Sequence, residues 1–235
     1  MARRSQLRPP AAPAKPRVPS LLMRVWDAPT RLFHWAVVLL ILTSYISIQK
    51  SWVQLHFLSG YTMLTLLLFR LAWGFAGSET SRFSRFLRSP VSGLQHLAAF
   101  GRREPDTDIG HNAAGGWMVL VMLLALGVQA ITGLFSNHDI DAQGPLAYHL
   151  TKMRSDWFST VHGLSFYVIL VLVTLHVLAI VTYAMVKRHD LVRPMITGRK
   201  RLPATLQQPR FASPVLALLL LLGAAGLVWV LVRFA

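Results

Sequence analysis

Five long apolar stretches restrict the fold of this 235-residue chain more than any other feature of its sequence. A helix needs roughly 20 predominantly apolar residues to cross the hydrocarbon core of a bilayer. Hydrophobic residues make up 54% of the chain and charged residues only 14%, whereas a soluble domain has about 25% charged residues. The sequence therefore predicts an all-α integral membrane protein, with helices near 32–48, 53–75, 113–135, 161–186 and 212–232.

The distribution of basic residues predicts how these helices are oriented. Nineteen of the 24 Lys and Arg residues lie in the tail up to Arg31, the 77–112 loop and the 187–210 loop, and only four lie on the opposite side. Basic loops stay in the cytoplasm. We therefore expect a multi-pass protein of the bacterial inner membrane, with a cytoplasmic N-terminus and a periplasmic C-terminus. The net charge of +15 is then explained by topology and by attraction to the lipid bilayer, with no need for nucleic acid.

Three parts of the chain are expected. Residues 1–23 form a disordered, basic, Pro-rich tail, residues 24–200 contain the first four membrane helices, and residues 201–235 form a linker and a fifth, C-terminal transmembrane helix. Within the second part, short interfacial helices are predicted in the 78–110 loop. The 136–160 loop, which contains Asp139 and Asp141, is expected to form a docking surface.

Four histidines lie inside the apolar stretches, where an ionisable side chain is costly and is a functional candidate. His162 and His176 are 14 residues apart on one helix, so their rings leave the same face about 21 Å apart along the axis. With the expected topology, His56 has the depth of His162 and His34 the depth of His176. Two imidazole pairs at two depths suit two haems, each held by two axial histidines.

The chain contains no cysteine. Covalently attached haem and cysteine-ligated iron–sulfur clusters are thereby excluded, so the prediction is two b-type haems in a four-helix bundle. The alternative for any single membrane histidine is a hydrogen bond to a neighbouring helix. Histidines 96, 138, 149 and 189, which lie in the loops, are expected to be solvated.

Basic residues near the membrane surfaces are candidates for holding the haem propionates. Arg70 either extends to the cytoplasmic headgroups or pairs with a propionate through a charge-assisted bond. Arg31 is a further candidate on that side, and Lys152 and Arg154 are candidates on the other side.

A quinone site is expected beside the cytoplasmic haem. His111 and Asn112 precede the third helix, and Asn112 is a suitable N-cap for it. The functional alternative is that both residues contact a quinone, together with Trp26 and Asp27.

Several stretches resemble one family. The segment RVWDAPTRLFHW at 24–35 resembles the opening of bacterial cytochrome b561 and of the Ni,Fe-hydrogenase b-type cytochrome subunits, and LFRLAWG at 68–74, GHN at 110–112 and the His162/His176 pair are similar to the same family. The resemblance, over about 24–200, implies a four-helix haem-binding bundle and electron exchange with membrane quinone. It also implies that His34, His56, His162 and His176 are the ligands of two b haems.

Together these features predict a di-haem b-type cytochrome that transfers electrons between a periplasmic redox protein and the quinone pool. The redox protein would be the small subunit of a hydrogenase or dehydrogenase, or a c-type cytochrome, and electrons could flow in either direction. One alternative is a free-standing superoxide:quinone oxidoreductase with a basic funnel at the periplasmic haem. The other is a haem-free scaffold or transporter in which the buried histidines relay protons.

Overall fold

The computed structural model describes residues 19–99, 101, 106–138 and 142–235 of the chain, without the side chain of His138. Its helices and strands, in chain order, are β1 (Ser20–Arg24), α1 (Ala28–Gln49), α2 (Val53–Ala76), a 3-10 turn (Glu79–Ser81), α3 (Phe83–Phe86), α4 (Pro90–Ala98), α5 (Ala113–Phe135), β2 (Asn137–His138), β3 (Ala142–Gln143), a second 3-10 turn (Ala147–His149), α6 (Lys152–Thr182), a π-helical turn (Tyr183–Lys187), α7 (Val192–Thr197), β4 (Arg199–Pro203) and α8 (Pro214–Phe234).

Within these described residues, five helices are long and apolar enough to cross a membrane: α1, α2, α5, α6 with its π turn, and α8. The predicted all-α membrane fold is confirmed, and α5 has the predicted bounds. Two helices are longer than predicted at their N-termini. α1 begins at Ala28 because the Asp27 side chain caps it, and α6 begins at Lys152, in a charged segment that the apolar pattern does not include.

A two-stranded antiparallel ribbon joins the segment that precedes the first four membrane helices to the segment that follows them. β1 pairs with β4, and Met23 lies opposite Lys200. The prediction that residues 20–23 belong to the disordered tail is wrong, because these residues lie in β1 and Met23 is buried. The expected boundary after residue 200 falls inside β4. Residues 1–18, Asp139 and Asp141 lie outside the described part of the chain.

We call the end of the bundle that carries this ribbon the ribbon end; α1 and α5 begin there, and α2 and α6 end there. The opposite end is the far end. α1 packs along α2 and α5 along α6, while α2 also contacts α5 and α8. The buried side chains at the centre come from all four helices of the first part of the chain: Val37, Met63, Leu67, Leu126 and Ile169. Ile169 is midway between His162 and His176, so this apolar core separates the two histidine levels.

Asp27 connects three elements at the ribbon end. Its carboxylate accepts hydrogen bonds from the Thr30 backbone N–H (2.7 Å), from Trp73 Nε1 (3.1 Å) and from Ser81 Oγ (3.3 Å). Asp27 is only 2% exposed and Trp73 is fully buried. The start of α1 is thereby fixed to the end of α2 and to the turn that follows it.

We expect Asp27→Ala to lower the free energy of unfolding by about 2–4 kcal/mol, because it removes a helix cap and leaves a buried indole N–H without an acceptor. Equilibrium unfolding in mixed detergent micelles measures this loss. The matched control is Asp190→Ala, since Asp190 also caps two backbone N–H groups but is exposed. Equal losses in the two variants would contradict the structural role of the buried carboxylate.

Candidate haem-binding site

The four membrane histidines meet in the two pairs expected from their depths. At the ribbon end, the ring centroids of His34 on α1 and His176 on α6 are 6.3 Å apart, which we call the ribbon pair. At the far end, the centroids of His56 on α2 and His162 on α6 are 6.2 Å apart, which we call the far pair. Each pair joins α6 to a different helix: α1 in the ribbon pair and α2 in the far pair.

Backbone carbonyls orient both rings of the far pair. His56 Nδ1 lies 3.0 Å from the Ser44 carbonyl oxygen, and His162 Nδ1 lies 2.9 Å from the Gln129 carbonyl oxygen. A ring whose Nδ1–H donates to a carbonyl has its lone pair on Nε2, which is the form that binds a metal ion. The local backbone therefore selects the ligating tautomer at both positions.

Gln129 is a residue of this site that the sequence patterns did not predict. Its side-chain Nε2 lies 3.1 Å from His162 Nε2, the nitrogen that would bind iron, so a haem at this level would displace that contact. Its side-chain oxygen Oε1 accepts a hydrogen bond from Ser165 Oγ. A lone amide in the apolar α5 was the available signal, because a polar side chain in a membrane helix requires a partner.

The two ring separations fit a metal ion with two axial imidazoles. With metal–nitrogen distances of about 2 Å, imidazoles on opposite sides of one ion have centroids about 6.4 Å apart. Both observed separations are close to this value. The donor sets at both levels thus suit haem iron.

Three buried nitrogen atoms at the ribbon end have no hydrogen-bond partner among the described residues: Arg70 Nη1, His34 Nδ1 and His111 Nδ1. Arg70 is 2% exposed, and its guanidinium lies over the rings of Phe83 and Phe86, 5.1 and 5.9 Å from their centroids. A buried cation needs a compensating negative group. This position does not suit the headgroup alternative, and it fits a haem propionate.

His111 lies between two aromatic rings, with centroid distances of 4.7 Å to Trp26 and 4.9 Å to Phe86. Burial, reinforced by the charge of Arg70, lowers the pKa of His111 to about 3. The ring is therefore neutral at physiological pH and can either donate or accept one hydrogen bond.

The other candidate quinone residues differ in their availability. Asn112 caps α5, as expected, by accepting from the Gly115 N–H at 2.7 Å, and its Nδ2 donates to the Tyr183 hydroxyl at 2.9 Å. Trp26 is buried beside His111. Both Asp27 oxygens are occupied by the contacts described above, so we replace its expected quinone contact with a structural role.

The remaining propionate candidates are bound elsewhere or exposed. The Arg31 guanidinium donates to the carbonyl oxygens of Ile196 and Asp27. Lys152 is exposed and pairs with Asp156 at 3.3 Å. Arg154 is also exposed, and it precedes His162 by about 12 Å along the axis of α6.

Two loop histidines expected to be solvated contact other side chains, although His96 remains partly exposed. His96 Nε2 lies 2.6 Å from the Tyr183 hydroxyl, and the largely buried His189 lies 3.8 Å from Asp106. His149 is exposed as expected, and the side chain of His138 lies outside the described residues.

Five membrane-crossing helices with two facing imidazole pairs at two depths define a class: multi-pass helical membrane proteins that hold haem between their helices. The model of the prokaryotic cytochrome b561 family matches residues 25–198, and the chain belongs to this family. It is thus a membrane b-type cytochrome, a haem b protein of electron transport, and the suspected family is confirmed.

Curated relatives agree with this assignment. The chain is 25% identical over 210 residues to a probable Ni/Fe-hydrogenase B-type cytochrome subunit of Rhizobium leguminosarum bv. viciae, in an alignment that covers 75% of this chain and 87% of the relative. The protein of the same description from Bradyrhizobium diazoefficiens is 26% identical over 212 residues, with 75% and 85% covered. That from Cupriavidus necator is 24% identical over 207 residues, with 74% and 85% covered. No solved structure gives a significant match.

Proposed function

We propose that this chain is a di-haem cytochrome b that transfers electrons across a bacterial inner membrane, between a periplasmic redox partner and the quinone pool. The observation that supports two haems is the presence of two imidazole pairs, with ring separations of 6.3 and 6.2 Å. Their α6 members are about 21 Å apart along the helix axis.

The chain contributes binding, orientation and charge. His34 and His176 would hold one haem, and His56 and His162 the other, with the Ser44 and Gln129 carbonyls orienting the far pair. A haem held by such a pair would supply one-electron transfer chemistry. Arg70 would neutralise a propionate at the ribbon end, and the apolar core keeps water out between the two levels.

The direction across the membrane follows from charge. The basic 77–112 and 187–210 segments connect membrane helices at the ribbon end, so we place this end in the cytoplasm and the far end in the periplasm. A quinone would then bind at the ribbon end, beside His111, Asn112 and Trp26. The names of the relatives favour a hydrogenase as the periplasmic partner, which would make this chain the electron-transfer subunit of an oxidoreductase.

We expect the purified chain to contain about two b-type haems, because it has two complete axial histidine pairs. The pyridine haemochrome assay measures the ratio of haem to protein. A short-chain quinol should then reduce these haems, and hydrogen should reduce them in membranes that contain the hydrogenase. One haem per chain, or haems that do not react with quinol, would contradict the corresponding part of the proposal.

A further inference from the structure

Three side chains form a hydrogen-bonded triad at the ribbon end that the haem ligation does not use. The Tyr183 hydroxyl lies 2.6 Å from His96 Nε2 and accepts a hydrogen bond from Asn112 Nδ2 at 2.9 Å. The members come from three elements: His96 from α4, Asn112 from the cap of α5 and Tyr183 from the π turn after α6. The triad therefore ties a loop helix to the two helices beside the candidate quinone residues.

The triad leads from the surface into the bundle. His96 and Asn112 are both partly exposed, and Tyr183 is only 8% exposed. The Tyr183 hydroxyl is therefore shielded from bulk water, while the histidine that it contacts is within reach of water. Such an arrangement can carry a proton through His96 and the Tyr183 hydroxyl into a part of the bundle that bulk water does not reach.

The hydrogen-bonding capacity of each group permits proton transfer. An amide nitrogen only donates, so the Tyr183 oxygen is the acceptor in its bond with Asn112. When His96 is neutral, the hydroxyl donates to His96 Nε2. When His96 is protonated, Nε2–H donates to the hydroxyl oxygen, and the hydroxyl proton turns to another acceptor.

That other acceptor would lie toward the ribbon pair. Tyr183 follows His176 by seven residues, so the two side chains leave nearly the same face of the helix, about 10 Å apart along its axis. Asn112 also directly follows His111, whose ring is beside Trp26. A π turn begins at Tyr183, and such turns are frequent at functional sites.

Charged groups surround the triad. Lys187 Nζ is 5.7 Å from the centroid of the Tyr183 ring. Asp106 and Asp108 lie close enough to act electrostatically on Tyr183. Asp106 also binds Lys200 at 2.7 Å and lies 3.8 Å from His189. Charges of both signs therefore face the triad.

We propose that His96 and Tyr183 form the proton-uptake route for quinone reduction at the ribbon end. The Tyr183 hydroxyl gives its proton to a quinone oxygen, His96 re-protonates the tyrosine, and water re-protonates His96. With two electrons from the redox partner and two protons taken up in this way, a quinone becomes a quinol and both residues return to their starting state. The proposal rests on the quinone site proposed above, and quinol oxidation would use the route in reverse.

The test compares two oxidants of the chemically reduced, purified chain in stopped-flow experiments. A short-chain quinone takes electrons and protons, whereas ferricyanide takes electrons only. We expect Tyr183→Phe and His96→Ala to slow haem oxidation by the quinone by roughly 100-fold, as for other lost proton-transfer groups, with haem content and the ferricyanide rate unchanged. Added imidazole should restore the rate of His96→Ala but not that of Tyr183→Phe.

Matched controls are Tyr148→Phe and His149→Ala, which alter an exposed tyrosine and an exposed histidine of the far end and should leave both rates unchanged. An unchanged quinone rate in Tyr183→Phe would overturn the route, as would an equal slowing with both oxidants, which indicates a structural role. If the unaltered chain reacts with ferricyanide but not with quinone, the quinone site itself is wrong and the route fails with it.

Discussion

A His176→Ala variant should purify with about one b haem per chain instead of two, because it retains only one complete axial pair. The removed imidazole faces His34 at 6.3 Å, while the far pair is about 21 Å away along α6 and stays intact. His34→Ala should lose the same haem. The pyridine haemochrome assay gives the ratio, and gel filtration in detergent shows whether each variant remains folded.

Double variants test the pairing itself. His34→Ala combined with His176→Ala should keep the single haem of the far pair, whereas His34→Ala combined with His162→Ala should keep none. His149→Ala is the control, since this histidine is exposed. His176→Met retains a possible ligand and should raise the haem reduction potential rather than remove the haem. Loss of both haems in the first double variant would refute the assignment of the pairs.

The pairing of the four membrane histidines could be predicted because it depends only on the period and direction of the helices. Helix period and direction are enough to give each histidine a face and a depth, and the lengths of the apolar stretches indicate five spans. Helix ends depend on local chemistry that a hydrophobic pattern does not contain. The Asp27 cap starts α1 before Arg31, and α6 begins at Lys152 among charged residues, beyond the apolar stretch.

Long-range contacts between loops could not be predicted in the same way. β1 pairs with β4 although most of the chain separates them in sequence, and His96 on α4 contacts Tyr183 at the end of α6. No periodicity encodes which loop side chain meets which helix end. For this reason the tail boundary was wrong and the contacts of two loop histidines were not predicted, while the membrane helices were right.

Gly133 on α5 is the position where one added side chain should disturb a single haem level. A Cβ built there would lie 2.9 Å from His162 Cε1 and 3.3 Å from Nδ1. The ring has little room to move away, since its Nδ1 is held by the Gln129 carbonyl at 2.9 Å and lies 3.3 Å from Thr132 Oγ1. We therefore expect Gly133→Val to displace the His162 ring and reduce the haem content to about one per chain, because iron ligation tolerates little change in ligand position.

The control is Gly223→Val on α8, where an added Cβ meets nothing within 4 Å. It makes the same change in helix propensity, but both haems should be kept. Combining Gly133→Val with His176→Ala should remove both haems, because each change affects a different pair. Gly133→Ala adds the same Cβ without the two γ-methyl groups of valine, so it should displace the ring less, keep both haems and shift one reduction potential. The contrary result would be that adding His176→Ala to Gly133→Val leaves the haem content unchanged. Gly133→Val would then have removed the haem of the ribbon pair, and α5 would not contact His162 as described.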